Sequence, residues 1–160
     1  MNYRIRTIAP GLSSLFIPLI LCALAAPPAR AAIDDSVPAP ELVAQLEARA
    51  AQAKPREQCY LYTQLIHSMT QLAGKQFVDG DVTQAAATLK KIDHYAQLVH
   101  ANLANDTKKL KDAEMLMQHT TSHLGMFIRQ ASADDQTALK ATLTKLDLIH
   151  DELLSQVFNH

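Results

Sequence analysis

The sequence predicts an all-α protein, an elongated antiparallel helical bundle with a long central helix. Three observations predict it. From Arg56 to His160 there is no proline, and only Gly74, Gly80 and Gly125 interrupt a chain dominated by Ala, Leu, Gln and Lys, a composition that favours helix. No stretch alternates apolar and polar residues between turn dipeptides, which is the mark of a hairpin of strands. Apolar residues instead recur every three or four positions, and over one long stretch every seven, the periods of a helix face and of a helix–helix seam.

The first 31 residues read as an export signal. Arg4 and Arg6 precede an apolar run, Leu12 to Ala26, and Ala29 and Ala31 give the small-x-small pattern before a cleavage point. The run is about 15 residues where a bilayer span needs about 20, and Pro27 and Pro28 break any helix there. Cleavage after Ala31 and a periplasmic or secreted destination are therefore expected, with no membrane attachment afterwards. Arg4, Arg6 and Arg30 would leave with the signal and no acidic residue would, so the formal charge of −1 becomes −4. An acidic chain does not suit nucleic acid or an anionic lipid surface, both of which need a basic face. Cys22 leaves too, so Cys59 has no internal disulfide partner. It is a buried apolar residue or an intermolecular link, and stability rests on the core of the remaining 130 or so residues.

Residues 32–40, AIDDSVPAP, read as a flexible tether. Residues 41–160 then form a single helical domain. A first helix over Glu41–Ala53 carries Leu42, Val43 and Leu46 on one side, and Pro55 ends it and starts the next. The second helix, Arg56–Val78, has an apolar stripe through Cys59, Tyr62, Leu65, Ile66, Met69, Leu72, Ala73 and Phe77. Its Tyr60, Gln64, His67 and Gln71 line a polar face, read as solvated, with a contact surface as the alternative. Asp79–Asp81 is a turn, and Asp81 with Gln84 has the spacing of a capping box.

From Val82 the heptad runs through Leu89, Ala96, Leu103, Leu110, Met117 and Leu124, with Ala85, Ile92, Val99, Asp106, Ala113, Thr120 and Phe127 as the partner series. A turn normally resets such a phase, so one helix from Val82 to about Ala131 is expected, about 75 Å long at about 1.5 Å per residue. Asn102, Asn105 and Asp106 mark the place where it would kink or divide. Ser132 caps a last helix whose stripe is Leu139, Leu143, Leu146, Ile149, Leu153 and Val157, with Asp134 and Asp135 at its positive end.

The stretch LAGKQFVDGDVTQAAATL, about 20 residues, resembles a tetratricopeptide hairpin, with Gly74, Phe77 and Ala86 at that repeat's small, aromatic and small positions. The resemblance implies two closely packed helices and, where repeats stack, a peptide-binding groove. Thr70 stands where the repeat has a large aromatic, and no second copy follows at about 34 residues. Otherwise the chain resembles the small helical proteins that bacteria export.

Within EMLMQHTTSHLGMF, His119 and His123 lie one helical turn apart on one face, a spacing that lets two imidazoles grip one metal ion. Met115, Met117 and Met126 are donors of the kind copper(I) accepts, or core filling, as the seam position of Met117 suggests. Asp147 and His150 have the spacing of a di-iron ligand pair, but such sites need two copies plus further glutamates and only one copy exists here. His94, His100 and His67 fall off the apolar stripes and read as surface residues. No phosphate loop, nucleophile elbow or haem-attachment motif occurs. A non-enzymatic protein without cofactor, working through a protein partner or self-association, is the expected class. Metal binding by His119 and His123 is the alternative.

Overall fold

Proline at the first turn of a helix loses only an amide that had no partner, and the chain uses it twice. In the computed structural model, which describes residues 36–105 and 107–159, α1 starts at Pro40 and runs to Gln52, and α2 runs Pro55–Val78. Then follow α3 (Val82–Asn102), α4 (Leu110–Gln130) and α5 (Ala133–Asn159). The segments read as export signal and most of the tether, and the seam residue Asp106, lie outside the described residues. The protein is all-α, five helices packed against one another, with no strand among the described residues. No helix among them is long and apolar enough to cross a membrane.

The long central helix does not exist: α3 and α4 are separate helices. Asn and Thr side chains bond readily to nearby backbone and so compete with the helical ladder. Here Asn102 Nδ2 donates to the Leu98 carbonyl (2.8 Å), Thr107 Oγ1 donates to the Asn102 carbonyl (3.0 Å), and Asn105 Nδ2 donates to Asn102 Oδ1 (3.1 Å). Lys109 then takes a left-handed conformation, φ 57°, before α4 begins. The Lys108 amide donates to the Arg56 carbonyl (2.8 Å), tying the loop to the start of α2. The connection from Leu103 to Lys109 is seven residues long, one heptad, so the apolar phase passes through the break unaltered.

The other boundaries follow local chemistry. Gly80 supplies the φ of +80° that the α2–α3 turn needs. Asp81 makes no side-chain cap; Gln84 Nε2 donates instead to Asp81 Oδ2 (3.0 Å). Ser132 does cap α5, its Oγ accepting from the Asp135 amide at 3.3 Å.

The helices form two antiparallel hairpins, α2–α3 and α4–α5, laid side by side. Pairs that cross between hairpins rise together along the chain: His67 with Thr120 and Gln71 with His123 between α2 and α4, and Asp93 with Lys145 and His100 with Glu152 between α3 and α5. Like helices therefore run parallel, and α2·α3, α3·α5, α5·α4 and α4·α2 close a four-helix ring. The core holds Leu65, Ile66 and Met69 of α2, Ile92 and Val99 of α3, Met117 and Leu124 of α4, and Leu139, Leu146 and Leu153 of α5. The heptad seam is filled inside one chain; of its apolar members only Val82, at the turn, is substantially exposed. α1 lies on α2 and reaches α3 through Glu47, whose Oε1 takes bonds from Lys91 Nζ and Tyr95 OH, both 3.2 Å.

Gly74 sets how closely the hairpins approach. A Cβ at that position would stand 2.5 Å from the Phe127 ring, well inside van der Waals contact, so only glycine lets α4's aromatic seat against α2. At the other small position of the hairpin, Ala86 is exposed and its neighbour Ala85 is fully buried.

Candidate functional site

The polar face of α2 is not solvated. Gln64 Nε2 donates to Tyr60 OH (3.3 Å), and His67 and Gln71 are buried, 7% and 2% exposed. They meet the polar stripe of α4, so the face read as solvent-exposed is an internal seam between the two hairpins. Sequence reasoning missed His67 as a site residue. The signal for it was the spacing of Tyr60, Gln64, His67 and Gln71 together with Thr120, a polar residue inside an otherwise apolar heptad series. His94 and His100 are exposed, as expected.

His67 Nδ1 stands 3.0 Å from Thr120 Oγ1. The Thr120 hydroxyl has one proton, and it goes to the Leu116 carbonyl at 2.7 Å. His67 therefore donates from Nδ1–H, and in the neutral ring its lone pair is at Nε2. His123 Nδ1 lies 2.5 Å from Gln71 Nε2. Ring centroids run in a ladder along the seam: His67 to His119 5.6 Å, His119 to His123 6.1 Å, His123 to Phe127 4.7 Å. Beside its lower end a hollow of about 310 Å³ opens, lined by Val37, Gln71, Gly74, Lys75, His123 and Phe127.

The structure thus places His119 and His123 on one face of α4, half-buried, and adds His67 from α2. His150 is engaged elsewhere: its Nε2 pairs with Glu114 Oε1 at 3.0 Å in a mostly buried α4–α5 contact. Met117 is a core residue, whereas Met115 and Met126 are 50% and 42% exposed. In this conformation no three His, Cys, Asp or Glu donors among the described residues already converge on one point.

Cys59 is fully buried, and burial pushes its thiol up to about 12, with the Thr107 side chain pulling weakly the other way. Such a thiol is protonated at neutral pH and inert, which removes the intermolecular link as its role in the folded chain.

A second concave feature lies between α1 and α2 under the α3–α4 loop, a groove of about 770 Å³. Its floor includes Ala53, Tyr60 and Leu61, and Arg49, Lys108 and Lys109 stand on its rim. Lys109 Nζ lies over the Tyr60 ring, 4.8 Å from its centroid, and Lys108 Nζ is 3.2 Å from Glu57 Oε1.

No protein-family model matches the chain, and neither does any curated protein or solved structure.

Proposed function

We propose that this chain is an exported, non-enzymatic helical protein that acts by protein–protein contact, and that the groove beside α1 is where it takes its partner. The observation that carries the reading is that groove's combination of size, apolar floor and basic rim. At about 770 Å³ it falls in the range of about 300–1,000 Å³ typical of sites for small ligands and single peptide segments, too small for a folded domain. Arg49, Lys108 and Lys109 against the lone Glu57 give it a positive lip, on a chain whose formal charge is −1. That local sign selects an acidic segment, and complementary charge raises the encounter rate as well as the specificity. The N-terminal segment read as an export signal supports a periplasmic or secreted setting, and the buried, protonated Cys59 supports a role without thiol chemistry.

The test is fluorescence polarisation of short acidic peptides and their lysine-substituted counterparts, with the wild type and with a Lys108→Glu/Lys109→Glu variant. Preferential, salt-sensitive binding of the acidic set, lost at least about tenfold in the variant, is the expected result. Equal response to both peptide sets, with a strict monomer by light scattering at high concentration, would overturn the reading.

A further inference from the structure

The groove beside α1 has a basic lip and an apolar floor, and the same chain carries a segment of matching chemistry that is too far away to enter it. We propose that, taking the groove as the partner site, the partner is a second copy of this chain, whose Ile33, Asp34 and Asp35 seat in the groove of its neighbour.

Complementary charge and polarity are the first argument. On the lip, Lys108 Nζ is held by Glu57 Oε1 at 3.2 Å. Among the described residues no carboxylate pairs with Arg49 or Lys109. Asp34 and Asp35 bring two adjacent carboxylates to these two cations. Ile33, next in the chain, brings an aliphatic side chain to the floor of Ala53, Tyr60 and Leu61. The other adjacent acidic pairs, Asp134 with Asp135 and Asp151 with Glu152, are built into α5. They cannot enter a groove as an extended segment.

Reach is the second argument. α1 runs antiparallel to α2: Gln58 Nε2 donates to the Ala50 carbonyl (3.3 Å) at one end, and Val37 stands beside Gly74 and Val78 at the other. The groove lies at the first end, by Tyr60. Gly74 and Tyr60 are fourteen positions apart on α2, about 21 Å at about 1.5 Å per residue. Asp34 is three positions before Val37, which lets it stray at most about 11 Å from that residue. Val37 and Ala39 each precede a proline, which favours extended backbone, and Ala39 has ψ 143°. The chain therefore does not double back along α1, and its own Asp34 and Asp35 fall short of its own groove.

Closure is the third argument. Segment and groove lie at opposite ends of α1, so two copies set side by side and antiparallel bring each segment to the other's groove. Such a pair is two-fold symmetric and closes with two equivalent contacts. Leu42, 58% exposed on α1 between segment and groove, is apolar surface for this pairing to cover.

The experiment is sedimentation velocity over a concentration series, with the tag-free full chain expressed so that natural processing of its N-terminus takes place. A reversible dimer is expected, weakening as salt rises because its charges are near solvent. Asp34→Asn/Asp35→Asn and Lys108→Glu/Lys109→Glu should each weaken it at least about tenfold. Combining Asp34→Lys/Asp35→Lys with Lys108→Glu/Lys109→Glu in one chain exchanges the charges and should restore it. Zero-length carbodiimide cross-linking of mixed isotope-labelled and unlabelled copies should join Asp34 or Asp35 of one label to Lys108 or Lys109 of the other. A monomer at every concentration, a dimer indifferent to Asp34→Asn/Asp35→Asn, or cross-links confined to single copies would each overturn the proposal. A monomer whose groove still binds acidic peptides excludes the second copy and leaves the groove as a partner site. If Lys108→Glu/Lys109→Glu alters neither peptide binding nor dimerisation, the groove itself fails as the site and the proposal falls with it.

Discussion

Gly74 separates what helix propensity favours from what packing allows. Replacing a glycine inside a helix with alanine ordinarily gains about 0.5–1 kcal/mol. At Gly74 the added methyl would stand 2.5 Å from the Phe127 ring, and overpacking of this kind costs about 1–3 kcal/mol. Gly74→Ala should therefore lower the thermal midpoint, and adding Phe127→Leu should recover much of the loss; a stabilised Gly74→Ala would show that α2 and α4 do not pack as described. Cys59 gives a second residue-scale prediction. With its thiol pushed up to about 12 by burial, it should react with a disulfide reagent at neutral pH only as fast as the chain opens, and a fast native reaction would refute that burial. These two residues differ in how far the sequence disclosed them. Cys59 sits on an apolar stripe of its own helix, so its burial could be read locally. His67 sits on a polar stripe, and it is buried because Thr120, 53 positions on, offers its hydroxyl. Burial of a polar side chain depends on a partner helix, and no period along α2 carries that information.

The helices themselves were legible wherever the signal was local. Pro55 marks the start of α2, Gly80 the turn after it, and Ser132 the cap of α5. The division of α3 from α4 was not legible, because a seven-residue connection preserves the heptad phase that a turn usually disturbs. The residues that end α3 were visible as Asn102 and Asn105, with their local bonds to Leu98 and Asn102, but the tie of the loop to the Arg56 carbonyl on α2 is a long-range bond that no period along the chain announces. Lys109 tests this connection directly. A left-handed residue with a Cβ costs about 1–2 kcal/mol relative to right-handed backbone, and a β-branched one is a true outlier there. Both Lys109→Val and Lys109→Asn lose the contact over Tyr60, so their difference isolates the backbone. Lys109→Asn should be the more stable of the two by about 1 kcal/mol or more, read from urea midpoints. Equal midpoints would mean the loop does not hold φ near 57°.

At the scale of the whole molecule, two hairpins run side by side and the ring of four helices closes on one core, so the stability of any helix is shared by the rest. That coupling makes alkaline pH a global probe. Cys59 and Tyr95 are both pushed up to about 12, Cys59 mainly by burial and Tyr95 by burial and then by the Glu47 carboxylate that its hydroxyl bonds. A raised value in the fold means that the native state holds the proton more tightly than the unfolded chain does. The resulting stability is fully present below the ordinary values of 9.0 and 10.0 and is lost as pH rises toward about 12. The urea midpoint should accordingly be flat at neutral pH and fall steadily from about pH 9 upward. Cys59 lies on α2 beside the α3–α4 loop and Tyr95 on α3 against α1, so each reports from a different part of the ring. Cys59→Ala should remove the first part of the fall, and Tyr95→Phe the part above pH 10, each with its own small offset at neutral pH. A midpoint that falls equally steeply in the double variant would assign the alkaline loss to other groups and separate it from the burial of these two.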